Sequence, residues 1–233
     1  MKETIYNEEE LYSMLDSFLR EPDDFWTEFY RDREKKIPFF KNLPDENLVS
    51  YLDKGLVTPG RVLELGCGPG RNAIYLARNG WEVDAVDVSE TSLQWAEERA
   101  GESGVSINFI HNNIFKMEIE YGSYDLVYDS GCFHHIAPHR RLSYTQLINK
   151  ALKPGGYFAL TTFVRGGKLG GAVVSDWEVY RSRSLHGGLG YNKTQLERIF
   201  SDLHSVEIRK MKDMDESQQM FGLSELMAAL FKK

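Results

Sequence analysis

Hydrophobic and polar residues alternate with two different periods along this chain. In 8–20, Leu11, Met14, Leu15, Phe18 and Leu19 fall on one helical face, and Pro22 follows the predicted end. The aromatic-rich stretch after it is punctuated by Pro38 and Pro44 and reads as loops, with a short helix predicted over 46–54. From residue 58 the period changes. Short apolar runs "RVLEL" (61–65), "EVDAVDV" (82–88), "INFIH" (107–111), "YDLVYD" (124–129) and "GYFALTTF" (156–163) read as strands. Between them, helices are predicted near 71–79, 91–101 and 140–152, and Gly155 and Gly156 after Lys153–Pro154 mark a helix-to-strand turn. A helix at 193–202 and a strand at 205–211 follow. Strands alternating with helices imply an α/β, doubly wound parallel sheet covered on both faces. In "GLSELMAALFKK" (222–233) residue preference favours helix. The division expected is 1–57 as an N-terminal helical and aromatic extension, a lid or cap, and 58–233 as the main domain. Within the latter, the glycine-rich 165–190 reads as an insertion or flexible loop.

Charge and cysteine usage narrow the partners. A formal net charge of −7 argues against a nucleic-acid or membrane-surface protein, which usually carries a basic excess. Two cysteines, Cys67 and Cys132, make no disulfide framework and fit a reducing compartment. The first residues lack the apolar core of a signal peptide, and no apolar run approaches the roughly 20 residues that span a bilayer. The expectation is a cytoplasmic protein with a small-molecule substrate and neither nucleic acid nor membrane as partner. The sequence does not specify the oligomeric state.

The densest chemical signal is "LELGCGPGRN" (63–72). A strand that ends in glycines and opens a helix gathers free backbone N–H groups and a helix dipole at one point, which suits a nucleotide-like ligand. The dinucleotide pattern G-x-G-x-x-G fails, because Arg71 stands where its last glycine belongs and Gly70 comes one place early. At the end of the next strand, Asp87 is placed to accept hydrogen bonds from ribose hydroxyls. Its alternative role is a helix N-cap, which Ser89 fills equally well.

"VLELGCGPG", "VDAVDVS", "YDLVYDSGCFHHI" and "LKPGGYFALTTF" together resemble the class I methyltransferases that depend on S-adenosylmethionine. The resemblance implies a Rossmann-like, seven-stranded, mostly parallel sheet with a reversed last strand, which places 222–233 as that strand rather than a helix. It implies S-adenosyl-L-methionine as cofactor and S-adenosyl-L-homocysteine as product. Glu64, Gly66, Cys67, Gly68, Gly70 and Arg71 would line the amino-acid end of the cofactor. Asp87 would hold the ribose, Val88, Asn113 and Ile114 the adenine, and Asp129 and Ser130 the neighbourhood of the methyl group. Asn113 stands where the family often has an acid. "GRNAIYLARNGWEVDAVDVS" further resembles tellurite-resistance methyltransferases, and 37–70 resembles thiopurine, thiol and halide methyltransferases, with Phe39 in the place of a closing aromatic. Those relatives methylate small, soft nucleophiles, so a thiol or similar acceptor is implied, transferred to by in-line displacement. An RNA or protein methyltransferase and a non-catalytic cofactor-binding module are the alternatives.

"DSGCFHHIAPHRR" (129–141) follows the fourth strand, over the expected transfer point. Adjacent histidines point apart and Pro138 disfavours a helical pairing of His135 with His139, so no metal is predicted. His134 or His135, with Asp129, is a candidate general base or acceptor-orienting group. Arg71, Arg140 and Arg141 are candidates to attract an anionic acceptor. Trp26, Phe39, Phe133 and His135 are candidate acceptor contacts.

Overall fold

The computed structural model describes residues 4–233. Seven strands form one sheet: β1 (Arg61–Leu65), β2 (Glu82–Asp87), β3 (Asn108–His111), β4 (Tyr124–Ser130), β5 (Leu152–Phe163), β6 (His204–Lys210) and β7 (Leu226–Lys232). Their order is β3-β2-β1-β4-β5-β7-β6, and only β7 runs against its neighbours. Helices α3 (Glu46–Asp53), α4 (Arg71–Arg78), α5 (Glu90–Ser103), α6 (Arg140–Ala151), α7 (Asp176–Ser182) and α8 (Lys193–Ile199) accompany the sheet, and α1 (Glu8–Asp16) and α2 (Pro22–Arg31) precede it. Leu63, Leu65, Val127 and Phe158 are buried in one apolar cluster, and Val62, Leu126 and Ala159 in another, as period-two alternation through a covered sheet requires. Among the described residues no helix is long and apolar enough to cross a membrane.

The β7 segment becomes a strand despite its helix-forming residues. Leu226 to Phe231 are all buried, and both edges are paired, to β5 and to β6. Burial on both faces with full ladder pairing outweighs a helix preference of a few tenths of a kcal/mol per residue. Strand β5 starts at Leu152, earlier than the pattern suggests, because Leu152 pairs with Tyr124 before an irregularity in the register.

Two further segments differ from expectation. Pro22 does not close a helix but opens α2 from its first position, where a proline lacks no needed N–H, with Asp23 and Asp24 in the first turn. α1 stops at Asp16. Residues 165–190 are folded back against the sheet by the bridges Val164 to Tyr191 and Ala172 to Leu189, and α7 is capped by Ser175. Glycine here serves close approach: a Cβ at Gly190 would lie 2.4 Å from the Gly171 carbonyl oxygen.

Chain direction across the sheet reverses between β1 and β4, since β2 and β3 extend one way and β5 the other. The carboxyl ends of β1, β2 and β4 therefore open a crevice, the place where such sheets take ligands. The glycine loop, Asp87 and the 131–135 turn all meet there.

Candidate active site

The glycine loop is held in a shape that side chains resist. Gly66 has φ +66° and Gly68 φ +52°, both left-handed. A Cβ at Gly66 would lie 2.7 Å from the Cys132 Cβ, and one at Gly68 would lie 2.8 Å from the Tyr30 hydroxyl oxygen. Asp87 fixes the loop from the next strand. One of its carboxylate oxygens accepts the Gly68 N–H at 2.8 Å and the other accepts the Ser89 N–H at 2.8 Å. Ser89 takes the N-cap of α5, accepting from Ser92 N–H, which leaves Asp87 facing the crevice. Burial raises the Asp87 pKa.

Glu64, at the end of β1, is buried, and its Oε2 has no hydrogen-bond partner. Burial pushes its pKa up to about 8, opposed by the nearby Arg71 cation. A buried carboxylate oxygen without a partner is costly, and a cationic ligand group with N–H donors would satisfy it. Because the folded pKa lies above the unfolded value, Glu64 contributes stability below about pH 4.5 that is lost as pH rises through about 8. Glu64→Gln is therefore expected to flatten the decline of the urea midpoint across that interval, while weakening the binding of S-adenosylhomocysteine. An unchanged pH slope would show that Glu64 does not carry it.

A cavity of about 720 Å³ opens over these groups. Glu64, Gly66, Cys67, Gly68, Asp87, Val88, Asn113, Ile114 and Ser130 line it, together with Arg71. The Asn113 side-chain oxygen accepts the Phe115 N–H at 2.9 Å, so its amide group is the free end. Facing them are Trp26, Tyr30 and Phe39 from the N-terminal segment, His134 and His135 from the turn after β4, and Phe163 from the end of β5. Trp26 meets the His135 ring edge-on at 4.8 Å, and Phe163 stacks on the His134 ring at 3.8 Å.

Several expected roles are not those the structure assigns. Asp129 is fully buried and does not line the cavity. Its Oδ1 accepts the Cys132 N–H at 2.9 Å and the Phe133 N–H at 3.3 Å, while Oδ2 accepts the Tyr144 hydroxyl, so it builds the 131–135 turn. Burial pushes its pKa up to about 7. Phe133 points away from the cavity into an aromatic core with Tyr144, Tyr191 and Phe200. Arg71 lines the cavity but contacts Asp45 at 2.5 Å and donates to Leu43 O and Ser130 Oγ, so it is no free anion attractor. Arg140 is paired with Asp16 and Glu9, and Arg141 with Asp176. His139 bonds Tyr180 and Asp16 rather than its neighbouring histidines. Burial holds the His134 pKa well below its usual value, and burial with the nearby Arg20 pushes His135 down to about 3.

Sequence reasoning missed Arg20, Phe163 and Asp45, while Tyr30 stands in the aromatic-rich segment expected as a lid, on α2 rather than in a loop. Asp45 explains the "RN" after the glycines: it contacts Arg71, its N–H donates to Asn72 Oδ1 at 2.9 Å, and its Oδ2 accepts the Tyr128 hydroxyl at 2.6 Å. The first residues of α4 thus grip the segment that leads into α3.

Comparison with known proteins agrees with this geometry. Residues 62–156 match the family model described as a methyltransferase domain. An uncharacterized methyltransferase of Schizosaccharomyces pombe is 36% identical over 124 residues, covering 53% of this chain and 83% of the relative. In fold, the chain is similar to the 1,6-didemethyltoxoflavin-N1-methyltransferase of Burkholderia thailandensis, solved with its acceptor and S-adenosylhomocysteine. That match has a TM-score of 0.66 at 19% identity and covers 100% of this chain and 93% of the other. TehB from Haemophilus influenzae matches with a TM-score of 0.62 at 17% identity, covering 86% of this chain and 67% of the other. Strand order, glycine loop, strand-end acid and relatives converge: the chain belongs to the class I methyltransferases and uses S-adenosylmethionine.

Proposed function

We propose that this enzyme methylates a small acceptor that enters the cavity already nucleophilic, a thiolate or another soft nucleophile. The observation that carries the reading is the packing of the two imidazoles beside the crevice: His134 is buried under Phe163, and the His135 Nδ1 is buried without a hydrogen-bond partner. Burial lowers both pKa values, that of His135 to about 3. A weak base removes a proton poorly at neutral pH, whereas a soft nucleophile that is ionised in solution needs no such help. That the acceptor is a small molecule is supported by the likeness to the 1,6-didemethyltoxoflavin-N1-methyltransferase, solved with 1,6-didemethyltoxoflavin bound.

The bound cofactor supplies an electrophilic sulfonium methyl group for in-line displacement. In this reading Glu64, Gly66, Cys67 and Gly68 would receive its amino-acid end, Asp87 its ribose and Ser130 the neighbourhood of the methyl group. Gly70 does not line the cavity and instead lets α4 start close against α5, where a Cβ at Gly70 would lie 3.0 Å from the Ala96 Cβ. Val88, Asn113 and Ile114 receive the adenine. Residues 1–57 act as a cap that excludes water, and Trp26 and Phe39 wall the acceptor. His135 offers its unpartnered Nδ1 to orient the acceptor rather than deprotonate it. Alignment and water exclusion then carry the rate.

The test supplies cofactor with a labelled methyl group. Small thiols, thiopurines, halides, and selenium and tellurium oxyanions are offered as acceptors, with phenols and amines as a second arm, bulk RNA as a third and Asp87→Ala as the control. Label in a small soft product, lost in the control, supports the reading, while label in RNA or only in oxygen and nitrogen acceptors overturns it. If His135 orients the acceptor, His135→Asn lowers turnover by only about 10-fold, below the range of a lost general base, and leaves the pH profile unchanged.

A further inference from the structure

The cations that sequence reasoning assigned to an anionic acceptor are all engaged. Arg71 contacts Asp45, Arg140 is shared by Asp16 and Glu9, and Arg141 holds Asp176. Two other arginines reach the same cavity from two separate segments, Arg20 between α1 and α2 and Arg183 at the end of α7. Among the described residues, neither has a carboxylate partner. Instead each lies over an aromatic face, Arg20 at 3.3 Å from the Phe25 centroid and Arg183 at 5.5 Å from that of Phe18.

At 3.3 Å a guanidinium stacks on the ring and keeps its in-plane N–H donors open, whereas the 5.5 Å contact of Arg183 is a looser cation–π contact. Arg20 lines the same cavity as His135, whose ring packs on Trp26. Three carboxylates also line this side. Glu9 and Asp16 are spent on Arg140, and Glu21 is exposed at the start of α2. His135 lines the same cavity, and its Nδ1 is buried without a partner. A flat body between Trp26, Phe39 and Phe163 would present one edge to His135 and another to the open guanidinium fork.

We propose that Arg20, assisted by Arg183, forms a carboxylate-binding subsite, so that the acceptor is a planar aromatic acid. This deepens the reading above and rests on its placement of the acceptor in this cavity. Arg20 favours bidentate recognition of a planar oxyanion. Two cations at the rim also draw anions toward a chain whose net charge is otherwise negative.

The experiment measures binding to the full chain by titration calorimetry with S-adenosylhomocysteine present. The probes are para-mercaptobenzoate and its uncharged counterpart, para-mercaptobenzamide. The acid is expected to bind at least about 10-fold more tightly, as a charge-assisted hydrogen-bonded pair implies. Arg20→Gln should remove the preference and Arg183→Gln should reduce it several-fold. Arg31→Gln, which deletes the same charge on an exposed face where Arg31 pairs with Glu28, should leave it intact. Equal binding of acid and amide overturns the subsite. So does a preference that survives Arg20→Gln, an equal loss in Arg31→Gln, or binding of neither probe while S-adenosylhomocysteine binds. Methyl transfer to neutral thiols without any acid preference would sink the subsite and leave the soft-nucleophile reading standing. An acid preference with label entering only oxygen or nitrogen would do the reverse.

Discussion

Gly68→Val is expected to abolish detectable binding of S-adenosylhomocysteine, a loss of at least about 100-fold, while the chain remains folded. The site is constrained from three directions. Backbone at φ +52° is strained for any residue with a Cβ, most of all a β-branched one. The Tyr30 hydroxyl oxygen lies 2.8 Å from the Cβ position, so the cap would have to move. The Gly68 N–H is also the donor that ties the loop to Asp87 at 2.8 Å, and turning that peptide would release the carboxylate proposed above to hold the ribose. Calorimetric titration measures the affinity, and circular dichroism checks the fold. Tyr30→Phe removes the hydroxyl but not the backbone strain, so adding it to Gly68→Val should restore part of the thermal stability and none of the affinity. Binding within a few-fold of the parent in Gly68→Val would mean that the cofactor does not lie against this loop.

Arg71→Met is expected to cost about 3–5 kcal/mol of unfolding free energy, the range for removing one partner of a buried ion pair. Asp45 is fully buried, and its Oδ1 has the Arg71 guanidinium at 2.5 Å as its charge partner without an aligned hydrogen bond. Without Arg71, the Asp45 carboxylate keeps the Tyr128 hydroxyl and the weaker Asn72 and Thr161 contacts, but no cation. Arg71→Met combined with Asp45→Leu should cost clearly less than the sum of the single changes, because no charge is then left buried. Urea unfolding of the parent, both singles and the double closes the cycle. Strict additivity would show that the two charges are not coupled.

The parts of this enzyme that were readable from sequence depend on local signals. Alternating apolar runs gave β1 to β5, and the glycine spacing with Asp87 gave the crevice, because a strand end, a turn and a helix start are each set by a few neighbouring residues. What escaped depends on distant partners or on ambiguous punctuation. Pro22 ends one helix or starts the next with equal local logic, and only packing of Tyr30 on the glycine loop decides it. The composition of β7 points to helix, and its two flanking strands override that. Arg71, Arg140 and Arg141 look free in a linear chain. Their acids, Asp45, Asp16 and Asp176, are tens of residues or more away in sequence and meet them only in the fold. Asp129 ends its strand where a ligand-facing acid belongs, yet three donors from the following turn and α6 claim its oxygens.

The insertion of β7 between β5 and β6 sets an order of assembly during synthesis. β6 leaves the ribosome before the strand that must separate it from β5, so it has no permanent partner when it emerges. The strands from β3 to β5 have all their mutual pairings by then and can associate early, since elements made first tend to fold first. Until β7 arrives, the growing sheet carries an open edge at β5, and a direct β5–β6 pairing is the nearest wrong register. Such an edge is where aggregation and mispairing start. Its protection during translation therefore falls to parts of the chain made before β7, among them the 165–190 segment, whose base the Val164–Tyr191 bridge ties together just beyond the end of that strand.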